Sequence, residues 1–429
     1  MYHKFTIAAL VVLLPFATNA QFGNLLNKVK NKSQQRVDQR VDKEIDKALD
    51  KAEGKTTSTE STTNNTVEKS APAENATAEP ALKSFSKYDF IPGDSVIYYD
   101  AFEGESLAEL PTGWNTSGTG EVTTLDKYPG NWLRLHKPFT YLSSNEKTFG
   151  ENYTVEFDLI LQLKNNGWMY PEFYVGLFST KEEPNGGNNF LKDHKKYASV
   201  VTSIFPAEGN NTKARINSYQ ENRNYFTGDV KACEVLEKYY AKPVHIAMQV
   251  QKERLRVWIS EIKMFDVPKA IPLGTLMNQL YFAVGSTNYS EEQYGIFVSN
   301  IKVATGRPDT RHKLVEEGKF STTGILFDLQ SAVIKPESYG VVKEIAAVLK
   351  ENSGIKIKVI GHTSSDGDDN TNMELSRKRA AAVKDMLVAD FAIDAARIET
   401  EGKGETKPVA DNKTKEGKAL NRRVEFIKL

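Results

Sequence analysis

Cysteine is nearly missing from this 429-residue chain, Cys233 being the only one. That excludes an intrachain disulfide framework and any multi-cysteine metal centre. A lone thiol of this kind most often serves as a small apolar residue. No apolar run reaches the roughly 20 residues that a bilayer-spanning helix needs. An excess of one charge sign is missing too: 56 basic residues face 56 acidic ones, so overall charge invites no polyanion and nucleic acid is not an expected partner. The His-Glu-x-x-His, Gly-Lys-Ser/Thr and Gly-x-Ser-x-Gly signatures are absent, and no cofactor or catalytic centre is expected. Asp366, Asp368, Asn370 and Asn372 imitate the start of a calcium loop. Its required glycine is replaced by Thr371 and its closing glutamate by Arg377, so no metal is expected there.

What is present falls into blocks. His3 and Lys4, an apolar run from Phe5 to Phe16 and the small-residue exit Ala17-Thr18-Asn19-Ala20 have the three parts of a secretory signal peptide, with cleavage expected after Ala20. No cysteine follows that site, so a lipoprotein is not expected; the expected location is the periplasm, or association with the outer membrane. Over 21–53, Leu25, Val29, Val37, Val41, Ile45 and Leu49 fall on helical spacing and predict one amphipathic helix with a narrow stripe, suited to a partner helix or to self-association. Residues 54–84 turn to Thr, Ser, Asn, Glu, Ala and Pro and predict a disordered linker spanning on the order of 30 Å.

Residues 85–305 alternate with period two in many short runs. In Val155 to Leu163 one face is Val155, Phe157, Leu159, Leu161 and Leu163, while the other carries Glu156, Asp158 and Gln162, predicted to meet solvent. Val244, Ile246, Met248 and Val250, then Leu255, Val257 and Ile259, predict a hairpin around Gln251-Lys252-Glu253. With further runs at 96–102, 132–136, 173–178, 198–205, 214–219, 280–284 and 296–303, roughly ten strands predict an antiparallel, jelly-roll-like β-sandwich. A transmembrane barrel fits less well, because several runs are short and Arg254 and Arg256 sit inside one. From Tyr99-Asp100-Ala101-Phe102-Glu103 with Pro111 and Trp114 to Val298-Ser299-Asn300-Ile301-Lys302-Val303, the layout loosely resembles the concanavalin-A-like lectin and glucanase superfamily. Retaining glucanases of that superfamily place Glu-x-Asp-x-x-Glu on one strand. Here Glu156 and Asp158 are followed by Leu161 where the third carboxylate would stand.

After a second linker expected over 306–321, residues 322–429 predict strand, helix, strand, helix, strand, strand (βαβαββ), a small α+β domain with helices on one face of the sheet. The runs are Gly324 to Leu329, Glu337 to Lys350, Ile355 to Ile360, Asn372 to Phe391, Arg397 to Gly402 and Arg423 to Lys428. Phe327-Asp328, Ile334-Lys335-Pro336, Gly361-His362-Thr363, Asn372, Leu375-Ser376, Arg379-Ala380, Gly404-Glu405 and Asn421-Arg422-Arg423-Val424 together identify this stretch as resembling the OmpA-like peptidoglycan-binding domain. The resemblance implies non-covalent capture of the wall's stem peptide through diaminopimelate, whose free end carries an ammonium and a carboxylate. It assigns the carboxylate to Arg379, whose planar fork suits it. The family's aspartate after Gly-His-Thr is Ser364 here, a hydroxyl without countercharge. Asp366 is the expected substitute and Asp328 a second one, with Asn372, Gln330 and Arg422 completing the expected site. His362 is expected to orient the turn.

The chain therefore reads as a non-catalytic cell-envelope protein of a Gram-negative bacterium. Peptidoglycan is the expected partner of the C-terminal domain, and a glycan or envelope protein that of the sandwich. The alternative is a wall-tethered polysaccharide hydrolase acting through Glu156 and Asp158.

Overall fold

The computed structural model describes residues 88–429 apart from 182, 307 and 308. The expected signal segment, amphipathic helix and first linker lie outside the described residues. Two eight-stranded sheets form the middle region. At the centre of the first, strand Asn152–Leu163 pairs antiparallel with Val244–Gln251 on one side and Tyr294–Thr305 on the other. The second centres on Phe173–Phe178, between Ser199–Phe205 and Gln279–Val284. Period-two alternation sends Val155, Phe157, Leu159 and Leu161 inward to meet Phe173, Val175 and Phe282 from the facing sheet, all buried. Phe157 packs edge-on against Phe282 at 5.1 Å between ring centres, and Trp114 stacks on the same ring at 6.3 Å. Cys233 is part of this core, and burial pushes its thiol up to about 12. The hairpin around Gln251 forms as predicted, between Val244–Gln251 and Arg254–Ile259.

One prediction fails on the outer side of the first sheet. Glu156 and Asp158, expected to face solvent, are 2% and 5% exposed, because the C-terminal lobe covers that face. Alternation marks which residues point away from a core, and a second lobe can then bury the polar side.

The C-terminal lobe carries a four-stranded sheet in the order Lys319–Thr322, Val424–Lys428, Ile357–Gly361, Ile398–Gly402. Its last pair is parallel, joined by the crossover helix Asp369–Ala389. That helix and Tyr339–Glu351 bury Val341, Ile345, Leu349, Val383 and Leu387 against Val359 and Phe426. Here too the sequence reading needs correction. The run from Gly324 to Leu329 is no sheet strand; only Phe327 makes an isolated bridge, to Ile334. The Leu326 amide donates to Ser338 Oγ at 2.8 Å, and its carbonyl accepts from the Lys335 amide at 2.9 Å, so the backbone is satisfied by a turn. The edge strand is Lys319–Thr322, and with helix Thr310–Val315 it occupies the stretch expected as a linker.

The segment from Tyr88 to Gly93 joins the two lobes. Tyr88 and Phe90 pack on Ala247 and Trp258 of the sandwich, with Phe90 and Trp258 at 5.2 Å. Ile91 packs into the C-terminal core, and a Cβ on Gly340 would lie 2.4 Å from the Phe90 carbonyl oxygen. Only glycine allows that approach of helix and chain.

Candidate functional site

Strand Ile357–Gly361 ends at the Gly-His-Thr turn, which is fixed from three sides. The His362 amide donates to the Arg423 carbonyl and the Thr363 amide to the Gly404 carbonyl, both at 3.0 Å. His362 Nε2 lies 2.9 Å from Glu425 Oε2 inside the lobe. That hydrogen bond, opposed by burial and aided by Lys319, holds the Glu425 carboxyl down at about 2. Gly361 lies so close to helix Asp369–Ala389 that a Cβ would come within 2.2 Å of the Ser376 carbonyl oxygen. The histidine anchors the turn, and the glycine lets the helix, with Arg379 at the end of its third turn, approach it.

The residues after the turn are bound into the fold. Ser364 is buried and its Oγ donates to Asp366 Oδ2 at 2.9 Å. Asp366 also meets Lys418 Nζ at 2.5 Å and Arg422 Nη1 at 3.5 Å. Burial raises its pKa, but the hydrogen bonds from Lys418 and Ser364 prevail and hold it below the usual carboxylate range. Asn372 Nδ2 donates to Glu405 Oε2 at 2.7 Å and to the Asp366 carbonyl at 3.1 Å. Asp368 caps the helix, accepting from the Thr371 amide at 2.9 Å. The run that imitates a calcium loop is therefore an N-cap followed by helix. Gln330 stands exposed in the loop before Ser331 at φ 52°.

Arg379, Asp328 and Arg422 do come together, on the wall of a cavity of about 710 Å³ between the C-terminal lobe and the sandwich. Ser364, Asp366, Asn372 and Gln330 are not on that wall. Arg379 Nε donates to the Ser331 carbonyl at 2.9 Å, and its guanidinium lies 4.8 Å from the ring centre of Phe327. Burial, with the like charge of Arg422 added, lowers its pKa to about 10, so it remains a cation at neutral pH. No carboxylate among the described residues lies within ion-pair distance of it. Arg422, by contrast, is held by acids, with Glu103 at 3.6 Å and Asp366 at 3.5 Å, and it stacks on Tyr99 at 5.1 Å. Asp328 is exposed and makes no ion pair among the described residues. The C-terminal wall thus offers a guanidinium with two free Nη groups and an uncommitted carboxylate.

The facing wall is the charged outer side of the first sheet. Lys302 Nζ lies 3.0 Å from Glu156 Oε1, and His245 bridges the two acids, with Nδ1 2.8 Å from Asp158 Oδ1 and Nε2 3.4 Å from Glu156 Oε2. Asn300 Nδ2 donates to Asp158 Oδ2 at 2.8 Å, and Lys335 reaches the same oxygen from the other lobe at 3.4 Å. Burial opposes every charge here. Even so, the hydrogen bonds it donates to Asp158 and Glu156 hold His245 up at about 10, while both carboxyls stay below their usual range. A retaining glycosidase pair needs one carboxyl kept protonated as the acid, and neither of these is. His245 and Lys302 escaped the sequence reading; once register pairs them with Asp158 and Glu156, two acids facing two bases on adjacent strands become a visible signal.

Comparison with known proteins finds a family match in the C-terminal lobe. Residues 326–422 match the OmpA family, a match lying wholly outside the sandwich. Outer membrane porin F of Pseudomonas aeruginosa is 43% identical over 101 residues, 24% of this chain and 29% of that protein. The probable lipoprotein YiaD of Escherichia coli is 45% identical over 102 residues, 24% of this chain and 46% of that one. The chain thus spans under half the length of either relative. Among solved structures, the cell wall anchor of the T6SS from Pseudomonas aeruginosa is 34% identical, covering 26% of this chain and 80% of that one, with a TM-score of 0.24.

Proposed function

Taking residues 326–422 as an OmpA family domain, we infer that this protein holds the bacterial cell wall non-covalently, gripping the stem peptide at the cavity between its lobes. The observation that carries this reading is Arg379: a half-buried cation, stacked on Phe327, tied by one backbone bond and paired with no acid among the described residues. A ligand carboxylate can take its two remaining Nη groups in parallel, each charge-assisted bond being worth about 1.5–3 kcal/mol. Asp328 on the same wall supplies the acid for the ammonium of diaminopimelate. That role, expected of Asp366, passes to Asp328 because Asp366 is already matched by Lys418 and Arg422. The relatives' names speak of the outer membrane and the cell wall, and the reading places this chain in the same envelope, in the periplasm or beside the outer membrane.

Sedimentation with purified sacculi tests it. Wild-type protein should co-sediment. Arg379→Ala, with an unchanged melting temperature, should lose at least tenfold in apparent affinity, and Asp328→Ala should lose several-fold. Equal sedimentation of Arg379→Ala and wild type would refute the assignment.

A further inference from the structure

The cavity is larger than its presumed occupant needs and is built from both lobes. At about 710 Å³ it falls in the range of roughly 300–1,000 Å³ that encloses a whole small-molecule ligand. The charged end of one amino acid would fill only part of it. Three residues on its wall hold buried N–H groups without a hydrogen-bond acceptor: Trp132 Nε1 from the sandwich, and Arg422 Nη2 and Arg423 Nη1 from the C-terminal lobe. Trp132 is only 4% exposed. Buried donors are rarely left unpaired, since each costs about 1–3 kcal/mol, so a wall with three of them calls for a ligand rich in acceptors. The acids of the sandwich wall are matched by His245, Lys302 and Lys335 and do not call for a second cation. What the sandwich adds instead is the indole N–H of Trp132 and the ring of Tyr128. Asn300, where the strand Tyr294–Thr305 breaks register, is already committed within the wall: its Nδ2 donates to Asp158 Oδ2 at 2.8 Å and its Oδ1 accepts from the Tyr99 hydroxyl at 3.4 Å.

We propose that the sandwich forms the second half of the wall-binding site, with Trp132 and Tyr128 recognising the hydroxyl- and amide-rich part of a sugar–peptide wall fragment beyond the charged end held by Arg379. This rests on the peptidoglycan reading and extends it: the sandwich sets ligand specificity at the same cavity and needs no separate partner. Amide carbonyls and sugar hydroxyls are the acceptors that the unpaired donors lack, and the Tyr128 ring on the same wall suits the flat face of a pyranose.

Calorimetric titration of the purified protein with two probes decides the matter: free diaminopimelate, and a disaccharide–tetrapeptide carrying the same residue. The disaccharide–tetrapeptide should bind at least tenfold more tightly. Trp132→Phe keeps an aromatic ring while removing the donor and the fused five-membered ring; Tyr128→Leu removes the second ring. Each should cut that preference to threefold or less, with the melting temperature confirming the fold. If both variants keep the full preference while Arg379→Ala abolishes binding of both probes, the sandwich has no part in recognition and the C-terminal site stands alone. If Arg379→Ala leaves both probes bound as in wild type, the peptidoglycan reading falls and takes this extension with it.

Discussion

At neutral pH His245 carries a charge inside a buried network, and its stabilising effect depends on that charge. Its pKa is raised from an ordinary value near 6.5 to about 10. A raised folded value means that the stabilisation is complete below about pH 6.5 and is lost as pH climbs through about 10. Asp158 and Glu156 are shifted the other way, so their share is lost only in acid. Urea midpoints measured from pH 6 to 10 should fall for wild type more steeply than for His245→Gln; parallel curves would disprove the linkage. Asp158→Ala, which strands His245 and Lys335 without their shared acid, should cost about 3–5 kcal/mol in the same assay. At this scale the sequence was half readable. Arg379 could be named because it sits in a motif, whereas the commitment of Asp366 to Lys418 and Arg422 could not be, since those partners lie more than fifty residues away.

Among elements, the short helix Lys415–Asn421 does more than its length suggests. Its last residue, Asn421, is fully buried and accepts from the Val409 and Ala410 amides at 2.8 and 3.2 Å while donating to the Ala410 carbonyl and to Asn412. At its start Lys415 reaches Asp100 at 2.9 Å and Glu105 at 2.7 Å across the lobe boundary. Asn421→Ala should cost about 2–4 kcal/mol by stranding several buried backbone groups, read as a drop in urea midpoint; a change under about 1 kcal/mol would show that the loop re-forms around water. The Asn-Arg-Arg run was legible as a motif, but its asparagine's work as a loop clamp was not, because all but one of its partners are backbone atoms, which sequence does not distinguish. The longer elements were easier. Helices Tyr339–Glu351 and Asp369–Ala389 announced themselves by spacing, while Gly324 to Leu329 misled because a β-rich run looks the same in a turn as in a sheet.

On the scale of the whole molecule, the described residues form one compact unit, although the two lobes read in sequence as separate domains. Their patterns break at Thr305-Gly306, and nothing local foretells that the polar side of one sheet will be buried against the other lobe. The consequence is cooperative unfolding. The Phe90–Trp258 contact and the Lys335–Asp158 and Lys415–Asp100 pairs tie the stability of each lobe to the other, so calorimetry on residues 82–429 should show a single thermal transition, and two well-separated peaks would mean independent lobes.

Phe90 gives this architecture a mechanical character. Wedged between Trp258 of the sandwich and the Gly340 backbone of a C-terminal helix, it is the point where tension along the chain from its N-terminal side enters the folded unit. Such a pull bears on both lobes together in place of peeling one sheet open first.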